Sequence, residues 1–280
     1  MGPFSPYEYF WLIGLGLGVG LYGTLIGAGG GFILMPLLLL IHPKASPEQL
    51  TAISLAVVFF NALAGSESYA MMRRIDYKSG LIFSAATIPG AIIGALSTSS
   101  VPRPLFDAIF GLLLLAAGGF LFFHTPLKHS NGSRMHIHHP LATRHLVTAN
   151  GEEFDYNFNP LVGIAISFGV GFASSFLGIG GGIIHVPALI FFLDFPVHVA
   201  TATSHFILAI MALTGTMVHI WMGTFHEGAR QTLSLSIGVL LGAPIGAYLS
   251  GRIGGTLIVR SLALALGLVG IRILALLIGN

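Results

Sequence analysis

Gly27-Ala28-Gly29-Gly30-Gly31 and its echo Gly178-Ile179-Gly180-Gly181-Gly182 decide how this chain must fold. Each follows a long apolar run, Glu8 to Ile26 in the first case and Pro160 to Leu177 in the second. Those runs approach the length of a membrane span. Each cluster then leads into a shorter apolar run, Phe32 to Ile41 and Ile183 to Leu193, with Pro36 or Pro187 five residues in. A glycine cluster in such a setting unwinds the helix and frees backbone N–H groups. Hydrocarbon cannot satisfy those groups, so the break must be buried in protein or line a wet cavity. The half-helix that starts there points its positive N-terminus and its bare donors at the break, which suits an anion. Two breaks at matching places in two halves of a chain point to a transporter's binding site. The competing reading is close helix packing through small residues, which one cluster alone would favour.

Composition fixes the setting. Of 280 residues, 54% are hydrophobic and only 8% charged, against roughly a quarter charged in soluble domains. The mean hydropathy is +0.88. The apolar runs are helix-length and lack a ten-residue alternation, which excludes a β-barrel. The expected fold is therefore an all-α polytopic membrane protein. The formal net charge is +2 with no basic stripe, so nucleic acid is not an expected partner. There is no cysteine, which removes disulfides and thiolate chemistry. The first residues lack a basic region, and no small-residue cleavage site follows the first apolar run. They read as a retained first helix and not a signal peptide.

Further spans are expected at Glu48 to Met72, Ser79 to Thr98, Leu105 to Phe123, Val197 to Met222, Ala229 to Ser250 and Thr256 to Ile278. Ser46 and Pro47 are placed to start the first of these. The chain then repeats itself. Gly29 and Gly180 are 151 apart, as are Pro36 and Pro187. Thr51-Ala-Ile-Ser54 matches Thr201-Ala-Thr-Ser204 at 150, Gly65 matches Gly215 at 150, and Gly90-Ala91 matches Gly242-Ala243 at 152. Two homologous halves follow: an N-terminal transmembrane repeat over residues 1–123 and a C-terminal one over 159–280. Each has a glycine-broken helix and about three further spans. The polar segment 124–158 between them is expected to be cytoplasmic, with a β-hairpin turning at Asn150-Gly151. Re-entrant breaks would make the halves inverted, whereas breaks that cross fully would make them parallel. In either case eight of the twelve Lys and Arg residues fall inside, so charge does not choose. Short half-helices that reach only mid-membrane favour inverted repeats.

Residues that could hold an anion sit at the breaks and on the helix after each. At the breaks they are Gly27, Gly29, Gly30 and Gly31, with Gly178, Gly180, Gly181 and Gly182. On the following helices, Thr51, Ser54 and Asn61 share one face, and Thr201, Ser204 and Met211 are their counterparts, with His205 alongside. Their hydroxyls and amide could complete a cavity for oxyanion oxygens, or could simply hydrogen-bond between helices. Glu67 and His205 are candidates for proton coupling, although Glu67 could instead pair with Arg73 or Arg74 at the interface. No Lys or Arg lies near either cluster in the sequence, so the positive field there is expected from helix ends. The tract His136-Ile-His138-His139 has no interleaved acid or cysteine, so no metal site and no cofactor are expected.

These features resemble the TauE/SafE family, membrane proteins regarded as exporters of sulfite and organosulfonates, with some members assigned to other small anions. The likeness rests on the duplicated halves, on Gly27 to Pro36 and Gly178 to Pro187, and on the Thr-Ala-x-Ser segments at Thr51 and Thr201. It implies a multi-pass protein of the cell (inner) membrane whose partners are the lipid bilayer and a small anionic substrate, sulfite or a sulfonate. A homodimer is compatible with it. The expected function is secondary transport, outward, by rocking the halves about a midplane site. The rivals are an anion channel or a permease for another small anion such as a carboxylate. An enzyme is the least expected, with no cysteine and no carboxylate pair.

Overall fold

The computed structural model describes residues 6–42, 45–123, 142–225 and 228–278. Within them lie ten α-helices and one β-hairpin. The first half is α1 (Pro6–Leu25), α2 (Gly31–Ile41), α3 (Pro47–Met71), α4 (Tyr77–Thr98) and α5 (Arg103–Phe123). The hairpin strands are β1 (Ala142–Val147) and β2 (Glu153–Phe158). The second half is α6 (Pro160–Leu177), α7 (Gly182–Phe192), α8 (Val197–Trp221), α9 (Ala229–Ser250) and α10 (Gly255–Ile278). Seven of these helices are long and apolar enough to cross a membrane. The chain is an all-α polytopic membrane protein. Local chemistry sets the starts of several helices. Ser46 and Gln49 form a capping box ahead of α3 with Pro47 in its first turn, Asp76 caps α4, and Asn159 caps α6 before Pro160. His136, His138 and His139 lie outside the described residues.

The halves are interwoven. α1 packs on α9, and its repeat counterpart α6 packs on α4, the counterpart of α9. Both contacts run parallel and are made close by glycine. A Cβ added at Gly238, Gly242 or Gly246 would overlap the α1 backbone, and one at Gly90 or Gly94 would overlap that of α6. α3 and α8 form the centre and run antiparallel, since Gly65 lies against His205 while Gly215 lies against Leu55. α5 and α10 also run antiparallel, with Gly111 against Leu274 and Gly118 against Gly267.

Each broken pair returns to the end from which it started. Ile13 of α1 meets Gly238 of α9, and because the pair runs parallel the two helices start at the same end. His42, just past α2, accepts from Gln231 at that same end, 2.8 Å between nitrogens. In the other half, Gly163 at the start of α6 faces Leu193, just past α7. The 11-residue helices α2 and α7 are about 16 Å long, half a bilayer.

The two half-helices end differently. The last carbonyls of α2 are gathered by one guanidinium. Arg103 donates to Leu39 at 3.0 Å, to Ala45 at 2.6 Å and to His42 at 3.5 Å, and pairs with Asp107 at 3.3 Å. The end of α7 is covered by the hairpin, where Tyr156 and Phe158 press on Phe195 with ring centroids 4.5 and 5.1 Å away. Asp76 anchors this hairpin. While capping α4 it accepts from the Tyr156 hydroxyl at 2.9 Å and meets Arg144 at 3.4 Å. The hairpin loop closes with Gly151 donating to the Thr148 carbonyl at 3.1 Å, so Asn150 and Gly151 are the third and fourth residues of that turn. Gly151 has φ 80, which glycine adopts freely. The loop is also tied to the bundle, since Ala149 N–H donates to Met72 at 3.0 Å.

On the hairpin surface, His145 lies 2.8 Å from Asp155, whose hydrogen bond and charge raise the imidazole pKa. A raised histidine pKa stabilises the fold at low pH, and that contribution fades as the pH climbs through the raised value. Asp155→Asn should move the NMR titration midpoint of His145 downward. Arg103→Ala should lower stability by about 1.5–3 kcal/mol, the worth of hydrogen bonds to a charged group, seen as a lower melting temperature. The residue at its repeat position, Gly255, shows that α7 does not use this clamp.

Candidate functional site

The glycines turn the chain at both breaks by adopting positive φ: 77, 74 and 77 at Gly27, Gly29 and Gly30, and 68 at both Gly178 and Gly180. α2 then starts at Gly31 and α7 at Gly182, and no side chain caps either start. Ile33 and Ile184 already donate to the Gly30 and Gly181 carbonyls at 3.0 Å, which leaves the N–H groups of Gly31, Phe32, Gly182 and Ile183 without intrahelical acceptors. The breaks cross in contact. Gly31 lies against the Ile179 carbonyl and Gly182 against the Gly27 carbonyl, each too close for a Cβ. Gly29 and Gly180 both face Val58 and Leu208, each the twelfth residue of a 25-residue helix. The crossing thus sits halfway along the two central helices. Residues 23–32 and 174–183 are all buried.

The hydroxyl stripe divides into clamps and free groups. Ser54 donates to the Gly178 carbonyl at 2.5 Å, and its counterpart Ser204 donates to the Gly27 carbonyl at 3.4 Å. Each half therefore holds the other half's break, and these serines make the expected hydrogen bonds between helices. Thr201 turns back to its own helix, 2.8 Å from the Val197 carbonyl. Thr51 packs on Gly178 with its hydroxyl unpartnered.

A separate polar group lies beside the first break. Thr24 donates to Asn61 Oδ1 at 3.1 Å, and His205 Nε2 is 3.2 Å from the same hydroxyl. Since Thr24 spends its one proton on Asn61, His205 serves it as donor, with Nε2 protonated. Tyr69 closes the group, its hydroxyl donating to the Thr24 carbonyl at 2.6 Å and its ring edge-on to His205 at 5.7 Å. All four side chains are buried. Asn61 Nδ2 and His205 Nδ1 are left without hydrogen-bond partners.

The repeat positions of Thr24, Asn61, His205 and Tyr69 hold Ser175, Met211, Leu55 and His219. There the amide becomes a thioether and the imidazole an alkyl group. Ser174 and Ser175 have unpartnered hydroxyls on that side, and Met211 and Ser174 face Gly181. One side of the crossing carries an amide and an imidazole in one hydrogen-bonded group, the other a thioether and an alkyl group beside unpartnered serine hydroxyls.

The structure brings together Gly27–Gly31, Gly178–Gly182, Thr51, Ser54, Asn61, Thr201, Ser204 and His205. It does not bring in Glu67, which is exposed on α3. His185 instead pairs with Ser167 at 3.0 Å, away from this group. Thr24, Ser175 and Tyr69 were missed from the sequence. The offset of 151 relates Thr24 and Ser175, both three residues before a break, and could have found them. Tyr69 gave no such signal.

Two crossed breaks with free donors, on re-entrant half-helices, are the framework of a carrier. The family model for the sulfite exporter TauE/SafE matches residues 12–273. The chain belongs to the TauE/SafE family. It is a membrane transporter. It is 32% identical over 269 residues to the probable membrane transporter protein YunE of Bacillus subtilis, covering 94% of this chain and 96% of that one. It is 25% identical to a probable membrane transporter protein of Xylella fastidiosa, over 87% of this chain and 85% of the relative. A Methanocaldococcus jannaschii relative, also a probable membrane transporter protein, is 24% identical over 84% and 81%. No solved structure matches significantly.

For this TauE/SafE member the glycines of the crossing are unequal. A Cβ at Gly182 would strike the Gly27 and Ala28 backbone, whereas at Gly181, with φ −53, it would meet only side chains, Val170 at 2.8 Å and Met211 at 3.2 Å. Gly182→Ala should therefore abolish transport and reduce folded yield sharply, while Gly181→Ala keeps the fold. Size-exclusion profiles and melting curves of the two variants compare them directly.

Proposed function

We propose that this transporter exports a small sulfur oxyanion, sulfite or an organosulfonate, held at the crossing of the breaks against Asn61. The observation that carries this is Asn61 Nδ2, a donor with no acceptor on a fully buried side chain. Leaving such a donor unpaired costs about 1–3 kcal/mol. The uncapped starts of α2 and α7 supply the field, each equivalent to roughly half an elementary charge. Two together balance one anionic group without a fixed cation, which keeps binding reversible. Met211 and Leu55 opposite give room for the organic tail of a sulfonate. The substrate passes unchanged, so the protein acts as a carrier and not an enzyme. Burial of both breaks disfavours a permanently open channel.

The halves act as inverted repeats. The antiparallel crossings of α3 on α8 and of α5 on α10 support this reading, because a two-fold axis along the membrane normal would leave those counterparts parallel. Rocking of the halves would then expose the crossing to each side in turn. His205, with one ring nitrogen on Thr24, is suited to couple a proton to this step. Glu67, exposed on α3, lies outside this group. The hairpin end, with Arg73, Arg74, Lys78 and Arg144, faces the cytoplasm, and the membrane is the cell (inner) membrane.

Asn61→Ala should weaken sulfite binding by about 1–3 kcal/mol, measured by calorimetry in nanodiscs. Arg103→Ala, which alters only the outer end of α2, should bind as the parent does. Parent-like affinity in Asn61→Ala would refute the site.

A further inference from the structure

Arg74 is the residue that neither the sequence nor the central site accounts for. It follows α3 directly and is only 5% exposed. A buried guanidinium is normally paired, because an uncompensated charge is costly to desolvate. Among the described residues it has neither an ion pair nor a side-chain hydrogen bond, and its Nη1 is buried and unpartnered. The nearest acid in sequence, Asp76, is already committed to Ser79, Tyr156 and Arg144. No side-chain acceptor among the described residues pairs with it, and the nearest compensation is the negative end of α9, which closes beside it at Gly251. Gly251, exposed at the end of α9, leaves its Cβ position 3.2 Å from both Nη1 and Nη2. His198, at the start of α8, lies within electrostatic reach of Arg74, and its Nδ1 is a second buried atom without a partner. Glu152, on the hairpin, is in reach of His198 and is itself exposed.

We propose that Arg74 and His198 form a second anion site under the hairpin, at the mouth of the route to the central crossing. The proposal rests on the reading of the substrate as a small oxyanion. Tyr69 joins the two places. Arg74 acts on it electrostatically, while its hydroxyl holds the Thr24 carbonyl and its ring covers His205. An anion drawn from the hairpin side meets a full positive charge first, then the weaker field of the half-helix starts. A planar guanidinium offers paired donors to sulfonate or sulfite oxygens. His198 adds a third donor in its Nδ1–H tautomer. The hairpin covers this mouth through the bond from Ala149 to Met72 and the Asp76 contacts of Tyr156 and Arg144.

The absence of cysteine from the chain permits a direct test. Gly251→Cys places one thiol against the guanidinium, at an exposed position with φ −73 where the arginine tip gives way by a few tenths of an ångström. Its modification rate is measured with a sulfonate-bearing methanethiosulfonate and with the trimethylammonium counterpart, in nanodiscs. The expected result is a rate ratio of about tenfold in favour of the anionic reagent beyond that of free thiol, a local charge effect of the order expected for one unscreened cation. Methanesulfonate should slow the reaction. In Gly251→Cys with Arg74→Gln the ratio should fall to that of free thiol and the protection should vanish, while Arg74→Lys retains part of both. Melting curves of each variant check the fold. Removal of an unpaired buried charge should not lower the melting temperature, whereas a structural Arg74 would lower it. A ratio unchanged by Arg74→Gln, protection that persists without Arg74, or a lowered melting temperature would overturn the second site. Those outcomes leave the central site standing if Asn61→Ala still weakens sulfite binding, so the two readings fail separately.

Discussion

The structure depends on a backbone-to-backbone contact between two interrupted helices. Where Gly182 meets the Gly27 carbonyl and Gly31 meets the Ile179 carbonyl, no side chain fits between the strands of the crossing. That contact is what lets two helix starts, each with unpaired N–H groups, lie at the middle of a hydrophobic bundle. In hydrocarbon such groups are intolerable, and here they are enclosed by α3 and α8. The serines at 54 and 204 then fasten each break to the opposite half. The glycines of α9 on α1 and those of α4 on α6 bring the helices that carry the breaks close against the bundle.

Duplication supplies the framework and divergence supplies the chemistry. The carbonyl clamps are kept in both halves, as are the Thr-Ala-x-Ser segments. The groups around the crossing are not. Thr24, Asn61, His205 and Tyr69 make a hydrogen-bonded string on one side, whereas Ser175, Met211, Leu55 and His219 cannot repeat it. A symmetric pair of polar pockets would hold an anion twice over with no preferred direction for an organic substituent. The outer ends of the half-helices have diverged as well. Arg103 binds the carbonyls of α2 directly, while α7 ends under the aromatic face of a hairpin.

Much of this was legible in the residues. Glycine clusters inside apolar runs, with a constant offset of about 150, located the breaks and their helices, since hydrocarbon penalises free backbone so heavily. Ser46 with Pro47 marked a helix start because capping is local chemistry. Long-range contacts were hidden. The spacing of Ser54 and Ser204 placed them on the inner face but did not reveal that each serves the other half's carbonyl. Nothing local marks Arg103 as a clamp, because the carbonyls it gathers are 58 or more positions away. Glu67 stood out as a carboxylate within a span, yet the helix turns it outward. Arg74 stood among interfacial cations in the sequence, and only the folding of Gly251 and the hairpin around it makes it a buried one.

The most direct measurement is the position of a bound anion in a crystal of the full chain soaked with selenite, which replaces sulfite and scatters anomalously. The expected peak lies within hydrogen-bonding distance of Asn61 Nδ2, at the start of a half-helix and on the Thr24 side of the crossing. A peak confined to the Met211 side, or anomalous density only outside the crossing, would contradict the polar half of the breaks as the place where the substrate is held.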